Sequence, residues 1–408
     1  MLVLAAGIAL LGMALTMAGV GESWAHAVRI LSVVGAVAAT ALLLNIGGAR
    51  RDRVLLPIMA LLVSLGVILI SRTDGYLATK QIMWVLVGCA ALVGTYFLVD
   101  RVESLSNYKY LAGVAALALM AAAVMFAPVK NGARLWLVVA HRFSFEPSEI
   151  AKLLLVIFLA GYVAERGHLL RQVQRRAGAA ELQWRYLTPM LLMVVLSLVL
   201  FVGQHDVGAG ALFLGIFLVM LYLATGRTLH VVGSLVAFGL GIIVMYHAFP
   251  YLAHRFTAWL YPWQNINGVG FQPAQGMFAL AEGGVGGAGL GILPVSGRNL
   301  PEASSDMIFA VLGQDLGLLG SVAVLTLYAL FITAGYRIAW RARDTFNGLL
   351  AVGITTMFAL QAFIIVAGVL RVIPLTGLPL PFMAYGGTSM LVNCIALGLL
   401  LAVSRENS

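Results

Sequence analysis

The sequence predicts an all-α polytopic membrane protein, and two observations carry that prediction. Of its 408 residues, 62% are hydrophobic and only 10% are charged, whereas soluble domains carry about 25% charged residues. The apolar residues are also gathered into runs, many of them close to the ~20 residues that a helix needs to span a bilayer. Little of the chain is left over for a soluble domain.

Apolar segments follow one another along the whole chain. The first has no charged region before it and no small-residue cleavage signal, so we expect a retained helix rather than a signal peptide. The tenth is too long for a simple span, which predicts a tilted helix or first turns that lie in the interface. The twelve segments cover residues 2–20, 26–47, 54–71, 81–99, 109–127, 149–164, 187–203, 208–225, 229–248, 306–336, 346–370 and 386–404.

The basic residues set the predicted orientation. With a cytoplasmic N-terminus, most Lys and Arg fall in cytoplasmic loops, including the densest basic loop, Arg166–Arg185. This distribution follows the positive-inside rule and accounts for the net charge of +9, so we expect no nucleic-acid partner. Both termini are therefore predicted to be cytoplasmic. The segments 251–305 and 371–385 are then expected to face outward.

The outward segment 251–305 does not have the composition of a flexible linker. Aromatic residues of the kind that settle at the bilayer interface are interleaved with its glycines. These residues are Trp259, Tyr261, Trp263 and Phe271. The run Gly283–Gly291 is too apolar for a tether, and we expect it to pack closely as a re-entrant or interfacial piece. A nucleotide-binding loop is excluded because no strand–loop–helix context surrounds it.

Three charged residues stand just before the apolar segment that starts near Met307: Arg298, Glu302 and Asp306. Ionised groups are costly at a membrane boundary because they lose hydration, so this cluster is the first candidate for a functional site. Asp306 has a second interpretation as the cap of the following helix, worth ~1 kcal/mol. Glu302 has a second interpretation as a partner of Arg298 that only shapes the loop. The pattern alone leaves the choice between capping and catalysis open.

Other charged residues inside or beside the spans also have two interpretations each. Glu149 and Lys152 are one helical turn apart, so they form an ion pair or contact a substrate. Arg134 either binds a substrate or snorkels to the interface. Asp206 follows a span, and we expect it to be solvated rather than to line a cavity.

Five blocks of sequence carry a resemblance to a known family. They are Asn131-Gly-Ala-Arg134-Leu-Trp136, Phe145-Glu-Pro-Ser-Glu149-Ile-Ala-Lys152, Gly270-Phe-Gln272 with Gln275, Leu300-Pro-Glu302 followed by Ser305-Asp306-Met-Ile-Phe, and Pro374-Leu-Thr-Gly-Leu-Pro-Leu-Pro381 with Tyr385-Gly-Gly-Thr-Ser389. In this order they resemble the SEDS family of shape, elongation, division and sporulation proteins, typified by RodA, FtsW and SpoVE. The resemblance runs from about residue 54 to residue 404.

The resemblance implies a fold and a function. It implies a SEDS-type ten-helix core at 51–408, with a large outward loop at about 249–305, and two extra N-terminal transmembrane helices at 1–50. It also implies a peptidoglycan glycosyltransferase that polymerises lipid II into glycan strands at the outer face of the bacterial cytoplasmic membrane. Such an enzyme serves cell elongation, division or sporulation. Its expected partner is a class B penicillin-binding protein that cross-links the product.

The family's essential acidic residue matches Asp306, and the glutamate of the same block matches Glu302. In glycan extension a sugar hydroxyl attacks an anomeric carbon while a lipid diphosphate leaves, and a carboxylate that accepts the hydroxyl proton accelerates this ~10²- to 10⁴-fold. Asp306 is therefore predicted to be the catalytic base or a ligand of a divalent cation, Mg²⁺ or Mn²⁺. The candidate substrate-binding residues are Arg134, Lys152 and Arg298 for the diphosphate, Gln272 and Gln275 for sugar hydroxyls, and Glu149 and Glu302 beside them.

Two other functions stay open at this point. A lipid II flippase would use Lys152, Glu149 and Arg134 to line a translocation path, and a non-catalytic scaffold would only dock the penicillin-binding protein. The sequence also departs from the family pattern, for example at Gln314-Asp315, where a glutamate is usual. Asp306 is retained in spite of these departures, so activity is still expected, but the elongation and division branches are not distinguished.

Overall fold

A computed structural model describes residues 23–46, 52–99, 102–129, 132–139, 143–174, 180–290 and 300–406. Within these residues, ten helices are long and apolar enough to cross a membrane, the first starting at Leu55 and the last ending at Glu406. The prediction of an all-α membrane protein with a ten-helix core is therefore confirmed. The first predicted span, 2–20, lies outside the described residues, and the division of the chain at residue 50 stays a prediction.

The chain forms thirteen α-helices within the described residues, together with a 3₁₀-helix at Val102–Tyr108. In chain order they are α1 (Ser23–Ile46), α2 (Leu55–Thr73), α3 (Gly75–Leu98), α4 (Lys109–Phe126), α5 (Pro147–Gln174), α6 (Ala180–Gln204), α7 (Val207–Thr225), α8 (Thr228–Ala248), α9 (Pro250–Leu260), α10 (Phe271–Gly283), α11 (Ile308–Arg341), α12 (Thr345–Val369) and α13 (Gly387–Glu406). A short antiparallel hairpin, β1 (Leu137–Val139) and β2 (Phe143–Phe145), precedes α5. Neither this hairpin nor the two short helices α9 and α10 are among the elements predicted from the sequence.

Helix α3 shows why some predicted boundaries differ from the observed ones. It begins at Gly75, before the predicted residue 81, because the Asp74 carboxylate accepts hydrogen bonds from the backbone N–H groups of Tyr76 and Leu77 at 2.8 and 3.1 Å. A cap of this kind satisfies donors that have no partner within the helix. The polar Lys80 interrupts the apolar run but not the helix.

The most buried helices are α2, α5, α12 and α13. Helix α5 packs against α4, α7 and α12, and α3 packs against α13. Glycines at some of these contacts allow the helices to come close together, as is usual where helices pack inside a membrane. At Gly66, for example, an added Cβ would overlap the backbone of Met383, so α2 packs directly on the turn that precedes α13. In contrast, no residue of α8 is buried in the described part of the chain.

Helix α11 covers the long tenth segment and contains a kink. Gly317 has φ 65° and ψ −162° within the helix, so the first turns of α11 run in a different direction from the rest. The glycine-rich segment after α10 binds at this point, because the N–H groups of Leu318 and Leu319 donate to the carbonyls of Gly284 and Val285 at 3.0 and 3.2 Å. The kink was not predicted, and the tilt or interfacial placement expected for this long run stays a prediction.

Close packing of the glycine-rich segment is confirmed at two positions. An added Cβ at Gly283 would overlap the carbonyl of Gly313, and one at Gly287 would overlap the carbonyl of Asp315. Between them, residues 284–286 are exposed. A buried ion pair between Arg72 of α2 and Asp315 connects the same region to the bundle.

The kink gives a first testable prediction. Gly317→Ala should lower the free energy of unfolding by about 2–4 kcal/mol, because the left-handed backbone disfavours a side chain and the added Cβ overlaps the backbone of Gly287. Thermal unfolding of the detergent-solubilised protein measures this effect. Gly286→Ala is the matched control, since its added Cβ meets no atom within 4 Å. Equal unfolding temperatures for the two variants would contradict the proposed role of the kink.

Candidate active site

The loop that carries Asp306 is held from two sides. Residues 301–307 form successive turns, and the Ser304 hydroxyl shares a 2.6 Å hydrogen bond with the Thr73 hydroxyl at the end of α2. The Ser304 carbonyl accepts a 2.8 Å hydrogen bond from the backbone N–H of Tyr385. Helix α11 begins after Met307 and has no side-chain cap. Of the two interpretations of Asp306, the helix cap is therefore not observed.

Asp306 lines a cavity of about 250 Å³ at this end of the bundle. The walls come from α9, from the start of α10, and from the end of α12 with the segment that follows it, residues 368–377. The lining residues are His254, Arg255, Ala258, Trp259, Val269, Gln272, Pro273, Asp306, Gly368, Arg371, Leu375 and Gly377. Gly377 lies beside the carboxylate, since an added Cβ there would lie 3.4 Å from Asp306 Oδ2.

The surroundings of Asp306 raise its pKa to about 7. Burial is the largest cause, and the negative charge of Glu302 is the next, while Arg255 acts in the opposite direction. Glu302 itself is exposed, has φ 51°, and accepts a 2.9 Å hydrogen bond from the Ser305 hydroxyl. A carboxylate with a pKa near neutral pH is well matched to the transfer of a proton.

The cationic wall of this cavity was not expected from the sequence. Arg255 Nη1 donates to the carbonyls of Leu375 and Thr376 at 3.3 and 3.1 Å, and Trp259 Nε1 donates to the carbonyl of Arg371 at 2.9 Å. Arg255 and Trp259 are four residues apart and so share one face of α9. That spacing is the available signal in the sequence, although the aromatic and glycine-rich composition of the segment predicts a loop.

The other predicted substrate-binding residues differ in their position relative to the cavity. Gln272 lines it, whereas Gln275 is only partly buried and is not among the lining residues. Arg134 is exposed and donates to the Val124 carbonyl at 2.8 Å, away from the cavity. Arg298 lies outside the described residues, and so does its predicted pairing with Glu302. The binding roles of these residues stay predictions.

Glu149 and Lys152, near the start of α5, form a second polar cluster. Lys152 Nζ donates to Glu149 Oε1 at 2.8 Å, and each side chain is only 1% exposed. Neither lines the Asp306 cavity. Glu146 joins this cluster, although the sequence analysis did not single it out. Burial raises its pKa to about 8, assisted by the charges of Glu149 and Asp206.

The expectation that Asp206 is solvated is wrong. Its side chain is buried, with 7% exposure, because its carboxylate caps α7 and accepts a 2.9 Å hydrogen bond from the Ala209 N–H. Burial raises the pKa of Asp206, whereas the cations Lys152 and Arg255 lower it. Asp206 also lies at an apolar cavity of about 330 Å³ between α6, α7 and α8. Its negative charge contributes to the raised pKa of both Glu146 and Asp306.

A divalent cation stays a prediction. No group of three or more His, Cys, Asp or Glu side chains in the described part of the chain could hold a metal ion. Mg²⁺, however, is often bound by one or two carboxylates together with substrate phosphates and water. Asp306, with Glu302 nearby, suits that arrangement, and the ion would supply charge compensation for the phosphates.

A family model described as a cell cycle protein, of the FtsW, RodA and SpoVE type, matches residues 53–408. The chain belongs to the FtsW/RodA/SpoVE family. It is 40% identical over 372 residues to the peptidoglycan glycosyltransferase RodA of Mycobacterium tuberculosis, covering 87% of this chain and 78% of that protein. It is 36% identical over 278 residues to the stage V sporulation protein E of Bacillus subtilis, covering 68% of this chain and 73% of that protein.

Solved structures of FtsW/RodA/SpoVE-type proteins have the same fold. A chain of a peptidoglycan synthase complex that coordinates polymerization and crosslinking superposes with a TM-score of 0.71 at 24% identity, covering 88% of this chain and 98% of that chain. The crystal structure of Thermus thermophilus RodA gives a TM-score of 0.63 at 23% identity, covering 88% of this chain and 97% of that chain. The RodA-type fold therefore carries the cavity that contains Asp306.

Proposed function

We propose that this protein is a peptidoglycan glycosyltransferase that polymerises lipid II. The observation that carries the proposal is Asp306, a carboxyl with a pKa near 7 that faces an open cavity at one end of the helical bundle. The identity to relatives named peptidoglycan glycosyltransferase, at 40% over most of the chain, supports the same activity.

The reaction is a displacement at an anomeric carbon. The oxygen of a sugar hydroxyl forms the new glycosidic bond, and its proton passes to the Asp306 carboxylate. The bond between the anomeric carbon and the diphosphate oxygen breaks, and its electron pair stays on that oxygen. The cavity holds one acid on the Asp306 side and cationic groups on the wall formed by α9 and the segment 368–377. This separation suits a proton acceptor that faces a departing anion.

The cavity is proposed to open on the outer face of the cytoplasmic membrane. Asp306 precedes α11, whereas Arg337 and Arg341 lie in the last turns of that helix, at the opposite end. Arg405, in the last turn of α13, donates to the carbonyls of Tyr96 and Val99 at the C-terminal end of α3. The positive-inside rule assigns such basic ends to the cytoplasm.

The expected partner is a class B penicillin-binding protein that cross-links the glycan strand. The likeness of the fold to a chain of a peptidoglycan synthase complex supports an assembly of this kind. Helix α8 has no buried residue in the described part of the chain, so it offers apolar surface to lipid or to another membrane protein.

Reconstitution tests the function directly. The purified full chain in lipid vesicles, supplied with fluorescent lipid II and Mg²⁺, should produce glycan strands that are resolved by gel electrophoresis. The same assay with a chelator measures any metal requirement. If no polymer forms with or without the cognate penicillin-binding protein, while labelled lipid II crosses the vesicle membrane, the flippase interpretation replaces this one.

The raised pKa of Asp306 predicts the pH dependence of the reaction. Because a base must be ionised, the polymerisation rate should rise about tenfold per pH unit below pH 7 and level off above it. Glu302→Gln should move this inflection to lower pH, because it removes a negative charge that raises the pKa of Asp306. Asp344→Asn, at the start of α12, is the control and should leave the profile unchanged. An inflection that stays fixed in Glu302→Gln would contradict the assignment of the titration to Asp306.

A further inference from the structure

Two arginines of the cavity, Arg255 and Arg371, form no ion pair with any carboxylate in the described part of the chain. Arg255 donates only to main-chain carbonyls, and Arg371 Nη1 lies 3.5 Å from Met277 Sδ, a weak acceptor. Each guanidinium has five N–H donors, so both retain donors for a ligand. Two partly buried cations beside one cavity favour an anion.

The amide of Gln272 adds a third donor to the same cavity. Its Nε2 atom is buried and has no hydrogen-bond partner among the described residues. A buried donor without an acceptor is unfavourable in the free protein. A ligand oxygen in the cavity would provide the missing acceptor.

Arg371, which lines the cavity, has a strained backbone. Its φ is 61°, in the left-handed region that favours glycine. The residue is held there by the 3.1 Å hydrogen bond from its N–H to the Gly368 carbonyl and by the Trp259 indole on its own carbonyl. Strain at a non-glycine residue that the surroundings maintain is a mark of functional positions.

We propose that Arg255, Arg371 and Gln272 form the subsite for the diphosphate of a prenyl-linked saccharide. Planar guanidinium groups match the spacing of phosphate oxygens and bind them through paired charge-assisted hydrogen bonds. As the bond to the anomeric carbon breaks, negative charge grows on the diphosphate oxygen, and these donors stabilise it there. The identity of the ligand rests on the proposed function, whereas the preference for a diphosphate rests on the three donors.

Binding of a soluble prenyl diphosphate tests the subsite without requiring turnover. Farnesyl diphosphate and farnesyl monophosphate are titrated into the purified full chain in detergent, with isothermal calorimetry as the readout. Wild-type protein should bind the diphosphate more tightly than the monophosphate. Arg255→Gln and Arg371→Gln should each weaken diphosphate binding at least tenfold. Arg337→Gln, which removes an exposed arginine at the other end of α11, should bind as the wild type does.

Arg371→Gly separates a binding defect from misfolding. Glycine adopts the left-handed backbone without strain, so this variant should unfold at the same or a higher temperature than the wild type, yet still lose diphosphate affinity. Wild-type affinity in Arg371→Gly and Arg371→Gln, or failure of the wild type to bind the diphosphate, would overturn the subsite. Asp306→Asn should retain binding while losing polymerisation. If that variant polymerises normally, the proposed function fails instead, whatever the arginine variants bind.

Discussion

Asp306→Asn and Asp306→Ala are expected to lower the rate of lipid II polymerisation by about 10²- to 10⁴-fold, the usual contribution of a general base. Neither variant can accept the hydroxyl proton, and Asn preserves the volume of the side chain. The loop should stay in place in both, because it is held through Ser304 rather than through Asp306. Reconstituted polymerisation in vesicles measures the effect.

Thermal unfolding provides an independent check on the same residue. The folded-state pKa of Asp306, about 7, lies above the ordinary value of an aspartate, so the folded protein holds a proton that the unfolded chain releases. The stability that Asp306 contributes is therefore present at low pH and is lost as the pH rises towards 7. Asp306→Asn should then unfold at a higher temperature than the wild type at pH 8, and the difference should shrink as the pH falls from about 7 to about 4, below which the carboxyl is protonated in both the folded and the unfolded wild type. In the polymerisation assay, wild-type rates in both Asp306→Asn and Asp306→Ala would show that Asp306 has no part in the mechanism.

Breaking the buried ion pair between Glu149 and Lys152 should destabilise the protein by about 3–5 kcal/mol. Both side chains are 1% exposed, so either single change, Glu149→Ala or Lys152→Ala, leaves an uncompensated charge inside the bundle. Loss of thermal stability in detergent, together with reduced expression, is the expected result.

The double variant Glu149→Gln with Lys152→Met should recover most of that stability, because no charge is left unpaired. Its activity then separates two interpretations of the pair. Recovery of polymerisation together with stability indicates a structural pair, whereas a stable but inactive double variant indicates that Lys152 contacts the substrate. Single variants that are as stable as the wild type would show that the pair does not hold the core together.

The spans could be predicted because the bilayer imposes a simple requirement on length and polarity. Asp306 could also be predicted as a site residue, because an ionised carboxylate beside an apolar run is energetically costly and usually has a function. Arg255 and Arg371 could not be predicted as a pair, because they come together only when α9 binds the segment that follows α12. No local pattern predicts that contact between distant parts of the chain.

Asp206 was misjudged for a related reason. A carboxylate at the end of an apolar run is usually solvated, and only the packing of α7 shows that this one is buried as a helix cap. The kink at Gly317 could not be predicted from the sequence either. The sequence contains many glycines in apolar segments, and only the contact with the segment after α10 distinguishes this one.

The attachment of the Asp306 loop through Ser304 has a genetic consequence. Thr73 precedes Ser304 by 231 residues in the chain, and Tyr385 belongs to the stretch before the last helix. Neither belongs to the cavity lining, yet each fixes the position of the reacting carboxylate, where a displacement of about 1 Å can slow an enzyme 10²-fold. Mutations that abolish cell-wall synthesis are therefore expected at codons far apart in the gene, although each of them displaces the same carboxylate.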